Sequence, residues 1–422
     1  MRTQHRLLAL TTALVLVAGC SGAASPAPAT PAASSAPAAT PTTAPTTAAS
    51  AAESAAATTA PSASAAAATG AWQQSDIFKD FDPLKVDLTG FTPGPNGEKS
   101  TNAADVPDPS AQCLTQVKGK KLAFLNGLSG NSWMAAIEKG VREKSAEYGL
   151  NVVATASTDF DPAKEAAAVE TVMASKPDIL ITIPVDPASG AADYKPALDA
   201  GVTLSFYDNP VSGWTAGKEY VAITTGDHYR MGKDAADLLA TALGNKGKYG
   251  FIQLDVVFYN SNNREKGFLA EMAQKYPDMQ NVAWAGFTAD STVGAATDAM
   301  LTQHPDLDGI YVSYSGGPAT AVLASLQAAN NTHVKVVTHD LDAANDVIMA
   351  TKGSNYFGTA IEHTYDEGAG TVKAAVLKLC GVTVPPFIVV PALPVNRDNL
   401  AQAWADAWHQ APPAEVTKAL GQ

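Results

Sequence analysis

An α/β chain with two doubly wound lobes is what this sequence predicts, and three observations carry the prediction. Short β-rich runs alternate with helical patterns in a regular beat, the whole series occurs twice, and the run from Ile179 to Val185 is apolar nearly throughout. Alternation of this kind implies parallel sheets with right-handed helical crossovers, and an apolar run without a polar face suits a strand covered on both sides.

In the first half, Lys121 to Leu125 reads as a strand, and Trp133 to Tyr148 as a helix with Met134, Ile137 and Val141 on one stripe and Gly149 as its stop. Asn151 to Thr155 is the second strand. Asp161-Pro162 opens the next helix, Asp as N-cap and Pro in the first turn, with Val169, Val172 and Met173 inward. After the Ile179–Val185 strand, Asp186-Pro187 opens a helix by the same device, and Val202–Tyr207 and Tyr220–Thr224 supply two more strands.

The second half repeats the beat. Helices are expected at Met231–Leu243, Arg264–Lys275, Ser291–Gln303, Ala319–Ala329 and Ala343–Ala350. Strands are expected at Tyr249–Leu254, Val282–Ala285, Gly309–Val312, Val334–Thr338 and Phe357–Ile361. A helix from Asp366 to Leu379 and a Pro-rich strand from Phe387 to Val395 remain, and they complete the existing lobes rather than build a third.

The amino-terminal end has a different character. Arg2, His5 and Arg6 form a basic head before an apolar core, Leu7 to Val17, too short to span a bilayer, so residues 1–19 read as a signal peptide. Leu16-Val17-Ala18-Gly19-Cys20 resembles a bacterial lipobox, which predicts lipidation of Cys20 and attachment to the outer face of the cell membrane. Residues 20–70 are almost wholly Ala, Pro, Ser and Thr, with Glu53 the single charge, too little apolar surface to offset the entropy of folding. An extended linker is expected there. Residues 71–117 gain aromatics (Trp72, Phe78, Phe81, Phe91) and turn signals such as Thr92-Pro93-Gly94-Pro95, and read as an irregular extension draped over the domain.

Roughly 310 residues from Cys113 onward suffice for two cores. The net charge of −13 argues against nucleic acid and against a basic membrane-binding face. Cys113 and Cys380 are the cysteines left after Cys20, and in an exported chain such a pair suggests a disulfide.

Ordered markers now accumulate: Asn131-Ser-Trp133, Glu138-Lys-Gly140, the run Lys176 to Asp186, Asp208 after a strand, Gly232 after Gly226-Asp227, Arg264-x-x-Gly267-Phe268, Asp340 after a Val-rich strand, and Glu362 six residues before Gly368. From about Lys121 to Val395 the chain resembles the type I periplasmic binding proteins, the ribose- and galactose-type family. The resemblance implies two Rossmann-like lobes with parallel sheets, joined by a three-segment hinge. Lobe I would comprise 118–226 and 363–389, lobe II 227–362 and 390–408, with 409–422 a carboxyl-terminal tail. The crossings would lie near Gly226–Asp227, Glu362–His363 and Val389–Pro391.

Ligands of such sheets bind beyond the carboxyl ends of the strands, here at two edges facing one cleft. The resemblance implies a ligand set of Asn131, Trp133, Met134, Asp208, Asn209, Arg264, Tyr314, Asp340 and Glu362. An indole face suits the C–H groups of a sugar, carboxylates accept from vicinal hydroxyls, and Arg264 carries five fixed donors. Two departures stand out: Ser313-Tyr314-Ser315-Gly316-Gly317 replaces the family's frequent Asn-Asp, and Glu362 stands where Gln is common. The acid-rich cleft, near His228, His339 and His363, fits a hydroxyl-rich neutral ligand or one with a cationic group. The His and Asp spacing matches no metal motif, and no cofactor is expected.

No phosphate loop, nucleophile elbow or zinc-helix motif argues for an enzyme. The expected function is an extracytoplasmic solute-binding lipoprotein of an ABC importer. It would be monomeric, bind a monosaccharide or polyol, and dock on a membrane permease. The alternatives are a lipid-anchored sensor feeding a signalling partner, or a binder of a nucleoside or cationic solute. A DNA-bound repressor of this fold would carry a helical head where the signal peptide stands.

Overall fold

The computed structural model describes residues 75–422; the expected signal peptide (1–19), Cys20, the expected linker (20–70) and Trp72 lie outside the described residues. Among the described residues no helix is long and apolar enough to cross a membrane.

The chain runs β1 (Thr101–Asn102), α1 (Ala111–Val117), β2 (Lys121–Asn126), α2 (Ser132–Glu147), β3 (Asn151–Ser157), α3 (Pro162–Met173), β4 (Ile179–Thr182), α4 (Gly190–Asp199), β5 (Thr203–Tyr207) and β6 (Ile223–Gly226). Then come α5 (His228–Leu243), β7 (Gly247–Leu254), α6 (Tyr259–Lys275), β8 (Met279–Phe287), α7 (Val293–Gln303), β9 (Gly309–Val312), α8 (Gly317–Ala328), β10 (Lys335–His339), α9 (Ala343–Ala350) and β11 (Tyr356–Glu362). The chain ends with α10 (Thr364–Leu379), β12 (Phe387–Val390), β13 (Ala392–Asn396), α11 (Leu400–Trp408) and α12 (Ala414–Leu420).

Two sheets result. The first has the order β1-β12-β6-β5-β4-β2-β3, with every pair parallel, and the second β13-β11-β10-β9-β7-β8. In the second sheet only β13 runs antiparallel, beside β11. The chain passes between sheets after Gly226, after Glu362, and between Val390 and Ala392. The Pro-rich run expected as one strand is therefore two, split at Pro391, which cannot donate to a ladder.

Further differences have local causes. Asp186-Pro187 does not open a helix. The Asp186 carboxylate caps a turn by accepting from the backbone N–H of Ala188 and Ser189, and α4 starts at Gly190. Residues 409–422 are not a loose tail: α12 carries fully buried Val416 in the lobe II core, and the Leu420 carbonyl accepts from Arg397.

Nor is the extension merely draped. Its first part lies on lobe II, where buried Phe78 packs edge-on against Phe81 and Trp284, each at 5.9 Å between ring centroids. Gln274 donates to the carbonyls of Pro83 and Val86 at 2.8 and 3.0 Å. At the hinge, the backbone N–H and hydroxyl of buried Thr92 donate to Asp227 at 3.0 and 2.8 Å. Beyond it, β1 adds a strand to lobe I beside β12, and a disulfide joins Cys113 on α1 to Cys380 after α10, with 5.5 Å between their Cα atoms.

Two helix crossings bring the site's elements close. A Cβ at Gly232 on α5 would lie 2.0 Å from the Arg264 carbonyl, and one at Gly140 on α2 would lie 2.1 Å from the Tyr365 carbonyl. Glycine is what lets α5 meet α6 and α2 meet α10 at backbone distance. Aromatic rings pack beneath the second sheet, with Phe251, Phe268 and Tyr311 within 4.1 to 5.7 Å of one another.

Candidate ligand-binding site

The parallel strands of both lobes end on one cleft, and each lobe presents an aspartate there. Asp208 follows β5 with φ 57°, and Asp340 follows β10 with φ 70°, both in the left-handed region. Aspartate enters that region more readily than most side chains. The turn aims each carboxylate out of its sheet into the cleft.

Arg264, on the second turn of α6, organises the other side. One terminal nitrogen, Nη1, donates to both oxygens of Asp340 at 3.0 and 2.9 Å, and Nη2 donates to Glu362 Oε2 at 2.9 Å. Nε donates to His228 Nδ1 at 3.2 Å. The indole N–H of Trp133 donates to the other oxygen of Glu362. Trp133 belongs to α2 of lobe I and Glu362 ends β11 at the hinge, so this one network spans lobe I, hinge and lobe II.

A second network meets it at His228. Asp208 accepts from Thr225 Oγ1 at 2.8 Å and from Asn260 Nδ2 at 3.1 Å, the latter across the lobes. The His228 imidazole Nε2 lies 2.6 Å from Thr225 Oγ1 and 3.4 Å from Asp208 Oδ1. At the rim, Phe160 of lobe I meets Phe258 of lobe II edge-on at 5.9 Å.

The structure thus brings together Trp133, Asp208, Arg264, Asp340 and Glu362. The remaining expected ligand residues are placed differently. Asn131 caps α2, its side-chain oxygen accepting from Met134 N–H at 3.0 Å. Met134 is buried in the lobe I core, its sulfur accepting from Tyr207 Oη at 3.6 Å. Asn209 is buried and donates to the Pro184 carbonyl at 2.9 Å, a contact inside lobe I. Tyr314 donates to Asp290 at 2.7 Å, outside the Arg264 network. Residues with no part in the expected set, Thr225, His228 and Asn260, complete the networks. No local motif marks them, because their partners are brought in by the fold.

Electrostatics follow from one guanidinium facing several buried acids. Burial pushes Glu362 up to about 8, with Arg264 opposing and the charges of Asp340 and Asp208 adding to the rise. Asp340 is also raised by burial, against the pull of Arg264. For Asp208 burial is outweighed by His228, Arg264 and Thr225, which hold it below the ordinary carboxylate range. Glu367, buried on α10, is pushed well up by burial and by the charges of Asp208 and Glu362. Burial lowers both His228 and His339, the latter strongly. Among the described residues no group of three or more His, Cys, Asp or Glu side chains is placed to hold a metal ion.

Residues 122–382 match the family described as periplasmic binding protein domain. The chain belongs to this family. It is of the ribose/galactose type I class, and its relatives are substrate-binding components of transport systems rather than enzymes. The D-ribose/D-allose-binding protein of Pseudomonas aeruginosa is 24% identical over 271 residues, covering 62% of this chain and 83% of the relative. The ribose import binding protein of Escherichia coli K12 is 26% identical over 220 residues, covering 52% of this chain and 72% of the relative. Among solved structures, an ABC transporter solute-binding protein from Agrobacterium vitis bound to α-D-tagatopyranose aligns with a TM-score of 0.60 and 23% identity, covering 67% of this chain and 96% of that one. One from Mycobacterium smegmatis with bound glycerol aligns with a TM-score of 0.58 and 23% identity, covering 67% and 96%. These structures share the type I fold, two lobes of mostly parallel sheet.

Proposed function

We propose that this protein is the solute-binding lipoprotein of an ABC importer and that its interlobe cleft takes a monosaccharide or polyol. The observation that carries this reading is the convergence of Trp133, Asp208, Arg264, Asp340 and Glu362 from both lobes and the hinge onto one cleft. An indole beside carboxylates and a guanidinium offers a flat apolar surface with directional acceptors and donors, the chemistry that recognises vicinal hydroxyls. The relatives' names support a sugar, and their class supports an inner-membrane permease as partner. Asn131, Met134, Asn209 and Tyr314 would shape and support the cleft rather than carry the ligand's charge pattern.

The anchor belongs to the same reading. Cys20 is the lipidated residue, residues 1–19 are removed, and 20–70 tether a monomeric body to the outer face of the membrane. Cys20→Ser should release the protein into the soluble fraction, and a wild-type protein already soluble would reject the anchor. For the cleft, calorimetry with D-ribose, D-allose, D-tagatose and glycerol is the test. Saturable binding that is lost in Arg264→Ala supports it; binding unchanged in that variant rejects it.

One observation favours a second reading. Asp340 and Glu362 share a single guanidinium with Asp208 close by, and an ammonium group on a ligand would favour the charged form of Glu362 and gain it as a counter-charge. Glu362→Gln separates the two. A neutral polyol keeps most of its affinity, because the amide oxygen still accepts a hydroxyl, whereas a cation loses its counter-charge and binds far more weakly.

A further inference from the structure

The guanidinium of Arg264 is held on all three nitrogens. Nη1 and Nη2 rest on carboxylates, and Nε is held by His228 alone, a residue with no exposed surface. Because an arginine N–H only donates, His228 Nδ1 must present its lone pair, and the imidazole proton sits on Nε2. There it faces Thr225 Oγ1 at 2.6 Å. The hydroxyl accepts that proton's hydrogen bond and gives its own hydrogen to Asp208 Oδ1 at 2.8 Å. Every donor in the chain points the same way, from Arg264 through His228 and Thr225 to Asp208.

The two ends of this chain are in different lobes, and its middle straddles the crossing between them. Thr225 lies in β6, the last strand before the first crossing, and His228 is the first residue of α5 just after it. The relay therefore passes through the crossing itself and links the two ligand-facing groups across it.

We propose that His228 is the positioning residue of the cleft, fixing the plane of Arg264 and tying it through Thr225 to Asp208 across the hinge. This rests on the reading of the cleft as a ligand site, and it gives a role to a histidine that the sequence places near the cleft but outside the expected ligand set. His228 does not touch the ligand; it acts through Arg264 and Asp208. A neutral imidazole suits the role, since a second cation beside the guanidinium would set N–H against N–H.

The test uses the full chain labelled with ¹⁵N-histidine, its seven histidines resolved by long-range proton–nitrogen spectra and His228 assigned by the His228→Gln variant. In the ligand-free protein at neutral pH, His228 should show a bare Nδ1 and a protonated Nε2, and both signals should move in Arg264→Lys and in Asp208→Asn. Calorimetry with D-ribose, D-allose, D-tagatose and glycerol supplies the second arm. For any that binds, His228→Phe should weaken affinity about tenfold, as loss of a hydrogen bond to a charged group does. His228→Gln, whose amide can accept from Arg264 and donate to Thr225, should recover most of it. A protonated Nδ1, His228 signals indifferent to Arg264→Lys, or unchanged affinity in His228→Phe would each overturn the proposal. If none of the four compounds binds, the carbohydrate reading fails while the spectra still decide the relay. If His228→Phe does not fold, the spectra and the Gln variant decide it.

Discussion

Asp208 and Asp340 occupy the same place in their respective lobes. Each is the residue after a buried parallel strand, each has positive φ, and each backbone N–H donates to the neighbouring strand at 3.1 Å, to Thr224 and Ala360 respectively. The left-handed turn is what lifts both carboxylates off their sheets, and only one of them is paired directly with Arg264. Backbone shape and charge are therefore separable by mutation. Asp340→Asn keeps a side chain tolerant of that turn, so its denaturation midpoint should stay near wild type while ligand affinity falls about tenfold or more. Asp340→Val forces a β-branched residue into the turn and should lose about 1–3 kcal/mol of stability in denaturant titration. Equal stability in the two variants would refute the backbone argument.

Buried acids make the fold prefer mild acidity. Burial raises Asp234 to about 6, Glu265 to about 7 and Glu362 to about 8, so each holds its proton more tightly folded than unfolded. Stability from these groups is full below their ordinary values of 3.8 and 4.5 and is lost as pH rises through the folded ones. The thermal midpoint of the ligand-free protein should fall from pH 5 to pH 8, and Glu362→Gln should flatten the upper part of that fall. A midpoint that rises over this interval contradicts the assignment.

Reduction should loosen lobe I. The Cys113–Cys380 bond closes a loop with a sequence separation of 267 residues. Replacing both cysteines with serine should cost about 2–5 kcal/mol in urea titration, with the reductant sensitivity of the wild type absent from the variant.

Thr92 should matter more than its place in an irregular segment suggests. It satisfies Asp227 with two hydrogen bonds and accepts from Tyr229 N–H at 2.7 Å. Thr92→Val leaves a nearly buried carboxylate short of a donor at the hinge and should cost about 1–3 kcal/mol. No change in stability would mean that water replaces the lost hydroxyl without penalty.

Much of this architecture was legible in the sequence because its signals are local. Strand β9 and helix α9 fall where hydrophobic periodicity and turn residues put them, and Asp161-Pro162 opens α3 as expected. Gly140, Gly232, Gly267 and Gly368 stood out only as spaced markers. Their reason is steric: a Cβ at any of them would meet the backbone of the facing helix at 2.0 to 2.4 Å. Asp186-Pro187 misled because Asp-Pro opens turns as readily as helices, and the residues after the pair decide between them. The short helices α11 and α12 lie beyond the two-lobe beat, although α11 carries a plain signal: Leu400, Ala403, Trp404, Ala407 and Trp408 recur at helical spacing and are buried together in the lobe II core. His228 was legible only as one of three histidines near the cleft; its place in the network depends on Arg264, which lies 36 residues along the chain.

Strand β1 has a bearing on the order of assembly. Thr101 and Asn102 pair with Ile388 and Val389, so one of the first described segments to leave the ribosome finds its partner only near the end of synthesis. Until β12 arrives, the β6 edge of lobe I is bare, and the amino-terminal segment has nowhere to dock. Lobe II, by contrast, needs only β13 and the closing helices to join a sheet whose other five strands are consecutive in the chain. Completion of lobe I is thus a late, long-range closure, slow on topological grounds and open to edge-to-edge pairing with other chains in the meantime. An exported protein built this way gains from staying unfolded until translocation is over. Its last fastening, between the two ends of lobe I, can then be made covalent in an oxidising compartment.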